Sequence, residues 1–150
     1  MGPTRRLDVR DLEAVPVDSQ TCRTLVEQSN AHLRSARMLE ELDAEGAFQL
    51  AYDGCRKVAL AVVSAAGSRP RGPAHHAVTF DAAAALVVLH GGEGVPALKR
   101  ALDDATDLRR VRGAAEYHGE SVAPADVGDA IEILGELLAG LPAVVERQLA

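Results

Sequence analysis

The chain has 150 residues, a net charge of −6 and 47% hydrophobic residues, of which few are aromatic and none is Trp. That length suits one domain with a real core, and an apolar content of Ala, Leu and Val suits closely packed helices better than a sheet. The acidic balance argues against a general nucleic-acid binder with a basic surface while leaving room for a local basic cleft. No apolar run approaches the roughly 20 residues of a membrane span, so no membrane association is expected.

Residues 1–18 lack periodicity and contain Pro3 and Pro16. They read as a flexible N-terminal arm ahead of a bundle spanning 19–150. They also lack the apolar stretch of a secretory signal, which makes a cytoplasmic location the expectation. Helix 1 follows Asp18 or Ser19 as cap, with Leu25, Ser29, His32, Leu33, Ala36 and Leu39 on one face. His32 on that stripe reads as a core or interface histidine.

Residues 43–46 form a short connection. Helix 2 covers about 47–66, with Phe48, Ala51, Tyr52, Cys55, Val58, Ala59 and Val62 at helical spacing and Gly67 as its stop. Asp53 and Lys57 lie four apart and predict a surface ion pair, and Tyr52 and Asp53 with Arg56 can form a polar patch. Residues 68–73 are a loop by their Pro and Gly punctuation. Helix 3 runs through Val78, Ala82, Leu86 and Leu89, and 90–94 closes it. His75 and His76 precede it. Adjacent histidines cannot share a helix face, so a metal site is not expected there, and His76 or Thr79 reads as a cap.

Helix 4 covers about 95–117, with Pro96 tolerated in its first turn. Residues 118–123 are a loop. Helix 5 begins near Pro124 and carries Val127, Ile131, Leu134, Leu138, Leu141 and Val145 as a core stripe. Gly140 and Pro142 are expected to kink it or end it early. Cys22 and Cys55 fall inside helices with no CxxC spacing and read as small buried hydrophobes. The whole is an all-α, up-and-down bundle of about five helices.

The most informative stretch lies near the end of helix 4. Leu98, Ala101, Leu102, Ala105 and Leu108 form one apolar stripe, and Arg112 falls near its centre, with Arg109 and Glu116 on the flank. A charge there is costly unless it is paired or the face opens onto a cleft or partner. An ion pair to Glu116, four residues on, is the plain structural solution. The other is a cleft. If Gly119 ends the helix, His118 leaves the axis and can swing back to join Arg112, pairing a phosphate-binding cation with a titratable imidazole. Tyr117 is expected to pack its ring at the helix end and bond through its hydroxyl.

Two parts of the chain resemble the HEPN family of small helical bundles. One is Ala51-Tyr52-Asp53-Gly54-Cys55-Arg56-Lys57 together with Gly72-Pro73-Ala74-His75-His76. The other is the segment from Arg112 to Tyr117 ahead of a final helix. The resemblance spans about residues 20–148. It implies a homodimer in which two such segments face each other across a cleft. It further implies an RNA- or nucleotide-handling site, in many members that of a metal-independent ribonuclease of toxin or defence type, with an antitoxin or nucleotidyltransferase as a further partner. The family's catalytic motif is an Arg, four to six residues, then a His, and Arg112 and His118 are similar in spacing. On that resemblance Arg112 and His118 would be catalytic. His118 would act as base for a ribose 2′-hydroxyl, and Arg112 with Arg109 would stabilise the phosphorane. Arg109, Glu116 and Tyr117 would contact the RNA or nucleotide, with no cofactor and no metal. Gly113 stands where the family usually carries a polar residue, and the Glu116-Tyr117 ending is similar to a branch whose motif lacks the histidine. The alternative is therefore a non-catalytic module that binds a nucleotide, a small ligand or a partner protein.

Overall fold

A computed structural model describes residues 11–72 and 75–150. Among them are five helices: α1 (Ser19–Leu39), α2 (Ala44–Ala65), α3 (His75–His90), α4 (Val95–Tyr117) and α5 (Pro124–Leu149). The chain is an all-α bundle, as its periodicity predicts. No helix among the described residues is long and apolar enough to cross a membrane.

The helix ends follow local chemistry. The Asp18 carboxylate caps α1, accepting from the N–H groups of Gln20 and Thr21 and, at 2.8 Å, from the Thr21 hydroxyl. Those bonds hold its carboxyl below the usual range. Asp43 caps α2 by accepting from the Gly46 N–H at 2.9 Å. Residues 44–46, expected as connection, therefore belong to the first helical turn. Replacing Asp43 with Ala orphans that N–H and should cost about 1 kcal/mol in a thermal melt followed by circular dichroism.

Helix α2 is the axis of the fold. It packs against α1, α3 and α5, and its second half is apolar nearly all round, with Val58, Ala59, Ala61, Val62 and Val63 fully buried. Small residues bring neighbours close. A Cβ on Gly54 would lie 2.7 Å from a methyl of Leu134 on α5, and one on Gly140 would lie 2.5 Å from a methyl of Leu98 on α4. Gly140 is thus a contact point between helices and not a stop.

Pro142 does not end α5 either, which runs on to Leu149. An interior proline costs about 3 kcal/mol. The flanking Leu137, Leu141, Val144 and Val145 are at most 1% exposed. Each such side chain is worth about 1.5–3 kcal/mol, so packing outweighs the lost hydrogen bond.

Part of the expected arm and of the expected 68–73 loop is a ribbon instead. Strand β1 (Leu12–Ala14) pairs antiparallel with β2 (Ser68–Pro70), with Glu13 opposite Arg69 and their side chains 2.8 Å apart. Bonds from Val15 N–H to Gly67 C=O and from Arg71 N–H to Asp11 C=O extend it. Three-residue strands are too short to show a period, and Pro70 sits on an edge where its missing donor costs nothing. Residues 1–10 of the expected arm lie outside the described residues.

Candidate functional site

Helices α2, α3 and α4 converge on an open cleft of about 330 Å³ lined by Gln49, Leu50, Tyr52, Asp53, Arg56, His76 and Arg112. Its floor is Tyr52. The tyrosine faces the core, 1% exposed, because it continues the apolar stripe of α2. Its ring lies nearly parallel to Phe48 and meets Phe80 of α3 edge-on, with centroids 6.5 and 6.2 Å away. Its hydroxyl lies 2.8 Å from His76 Nδ1.

Arg112 stands where the apolar stripe of α4 ends. Ala101, Leu102, Ala105 and Leu108 are buried as predicted, and the guanidinium of Arg112 lies over the Tyr52 ring, 5.5 Å from its centroid. Its Nη1 also reaches Glu116 Oε2 at 3.3 Å. Both solutions to a charge on an apolar face are thus realised together: an ion pair along the helix and a cleft for the rest of the guanidinium.

Asp53 organises the other wall. Its Oδ1 accepts from Arg56 Nε and Nη2 at 3.2 and 2.8 Å. Its Oδ2 lies 3.4 Å from Lys57 Nζ and 3.3 Å from His32 Nε2, which is itself 3.1 Å from Lys57. The expected Asp53–Lys57 pair is present, and His32 belongs to this half-buried charge network instead of the core. Burial pushes the Asp53 carboxyl up, but the Arg56 hydrogen bond and the charges of Arg56 and Lys57 outweigh it and hold it below the usual range. Asp53 is therefore ionised at neutral pH and fixes the Arg56 fork.

His76 sits in the first turn of α3 with its ring tilted against Tyr52, centroids 5.6 Å apart. It makes this contact across to α2; the sequence offered His76 or Thr79 as a cap, and the residues just ahead of α3 lie outside what is described. Burial, and then the charges of Arg56 and Arg112, push its pKa down, so the ring is neutral at pH 7. The side chain of His75, with Pro73 and Ala74, lies outside what is described.

The residues expected at the end of α4 separate. Gly119, at φ +64°, ends the helix as its composition predicts, with His118 as the C-cap. The His118 side chain is exposed and makes no hydrogen bond or ion pair among the described residues. The helix end leaves His118 free to turn toward Arg112, but no bond between the two is present among the described residues, and Arg112 pairs with Glu116. Tyr117 is 75% exposed and makes no ring contact or hydroxyl bond among the described residues, contrary to the packing expected of it. Arg109 is exposed outside the cleft, yet its charge acts on both Tyr52 and His76.

A larger cleft of about 380 Å³ lies between α4 and α5. Asp104, Asp107, Asp126, Asp129, Glu132 and Glu136 line it around Arg110. Burial and then the charges of Asp107 and Asp103 push the Asp104 carboxyl up, the mark of crowded negative charge. Such a surface repels phosphate, so size alone does not select the site. Among the described residues no group of three or more His, Cys, Asp or Glu is placed to hold a metal ion.

Comparison with family models, curated proteins and solved structures finds no match to the chain. The site therefore stands on its geometry.

Proposed function

We propose that the chain is a HEPN-like helical module whose α2–α3–α4 cleft binds a nucleotide or an RNA end through its phosphate. The observation that carries this reading is the pair of restrained arginines in one cleft. Glu116 and the Tyr52 ring hold Arg112, and Asp53 holds Arg56. Arginine forks held by carboxylates lose little freedom on binding, and each keeps N–H donors for an anion. The exposed His118 supports the binding module over the ribonuclease form of the reading, which needs that imidazole beside Arg112. The homodimer is part of the proposal, and light scattering at twice the chain mass is its test.

Two experiments test the reading together. Equilibrium titration with AMP should saturate, with adenosine failing to compete. Incubation with mixed RNAs in chelator should leave them intact. Cleavage by the wild type that disappears in the Arg112→Ala, His118→Ala double variant would overturn the binding module in favour of the ribonuclease.

A further inference from the structure

A buried hydroxyl has to place its own proton. The Tyr52 hydroxyl has His76 Nδ1 as its hydrogen-bond partner, 2.8 Å away. Burial outweighs the lowering by Arg112, Arg109 and Arg56 and pushes the phenol up to about 12, so it keeps its proton at neutral pH. That proton is satisfied only if O–H donates and Nδ1 accepts; the reverse donation leaves a buried O–H unmade, the expensive arrangement. A neutral imidazole with a bare Nδ1 carries its one proton on Nε2. The same ring lines the cleft beside Arg56 and Arg112.

We infer that His76 is a ligand-contacting residue: Tyr52 locks it in the Nε2–H tautomer, and Nε2–H donates to a terminal phosphate monoester held by Arg56 and Arg112. This rests on the phosphate-binding reading above and names its ligand class. The donors come from three helices, Arg56 on α2, His76 on α3 and Arg112 on α4. A terminal phosphate has three free oxygens to meet them, whereas an internal diester has two. The Tyr52 ring is buried and one face lies under Arg112, so it is closed to base stacking. Recognition is accordingly of the phosphate and not of the base. A mononucleotide and a 5′-phosphorylated RNA share that chemistry.

The test uses AMP, a 5′-phosphorylated oligoribonucleotide and its 5′-hydroxyl twin. The two phosphorylated probes should bind and the 5′-hydroxyl strand should not. Binding of AMP alone assigns the site to mononucleotides, and tighter binding of the phosphorylated strand assigns it to RNA ends. His76→Ala should weaken AMP by about 10- to 100-fold, the scale of one hydrogen bond to a charged group. Tyr52→Phe keeps the ring under Arg112 and should weaken AMP less. Long-range proton–nitrogen correlation on the wild type, with His76 assigned by its loss in His76→Ala, should show Nε2–H and a shift of that nitrogen on saturation with AMP. An Nδ1–H tautomer, or Arg112-dependent AMP binding that leaves the His76 nitrogens unmoved, overturns the inference alone. Equal binding of the 5′-hydroxyl strand overturns the terminal-phosphate class. Failure of every phosphorylated probe to bind overturns the underlying reading, and the inference with it.

Discussion

Arg112→Ala should weaken AMP binding by about 10- to 100-fold while barely moving the melting temperature. The two effects differ because the arginine's structural contacts are modest. Its stack on Tyr52 is worth about 0.5–1 kcal/mol. Its partly exposed pair with Glu116, side chains 27% and 40% exposed, adds only a few tenths. At this chain length about 1 kcal/mol shifts the melting point by only 2–4 °C. A charge-assisted fork on phosphate is worth about 1.5–3 kcal/mol, nearly all of it in the bound state. Arg112→Lys should keep the fold and recover only part of the affinity, because an ammonium has the charge without the planar fork. Unchanged AMP affinity in Arg112→Ala, with the melt intact, would sink the proposed site.

The helices were legible because period and caps agree. Asp18 opens α1, and Gly67 and Gly119 lie just beyond α2 and α4 with positive φ. Errors arose where one residue type serves two purposes. Gly46 reads as a loop residue but supplies the N–H that Asp43 caps. Pro142 reads as a kink or an early end, and α5 runs on past it because it sits in a turn whose neighbours are buried on the core. Arg112 was legible in the candidate site because a charge on an apolar stripe is visible in one helix. The Tyr52–His76 contact was not, because it joins two helices across a loop and no spacing encodes it. The available signal was indirect: both residues lay in stretches already singled out, with nothing to say that they meet. His118 marks a different limit: the stop at Gly119 was legible, but once the chain leaves the helix no spacing says which way the imidazole turns.

The second large effect belongs to the contact that seats α2 on α5. Leu134 is fully buried, and its methyls press on the bare Cα side of Gly54. Leu134→Ala should cost about 2–5 kcal/mol, transfer plus cavity, out of a typical total of 5–15. Gly54→Ala poses a closer contest. The added methyl improves helix propensity by about 1 kcal/mol but meets Leu134 at 2.7 Å and His32 Cβ at 3.4 Å, an overpacking worth about 1–3 kcal/mol. Net destabilisation is expected, because the Leu134 end is confined by the core. In the double variant the new methyl enters space that Leu134 has vacated, so the cost should fall below the sum by about 0.5–3 kcal/mol. Leu141 lies two turns away, roughly 10 Å along α5, and Leu141→Ala should add to Gly54→Ala within about 0.5 kcal/mol. The same seat bears on the cleft, since Gly54 is flanked by Tyr52, Asp53 and Arg56 and its carbonyl meets the buried Ser29 hydroxyl at 3.0 Å. Displacing α2 here should weaken AMP binding with every cleft residue present. Denaturant melts give the energies, and additivity of Gly54→Ala with Leu134→Ala would refute the seating argument.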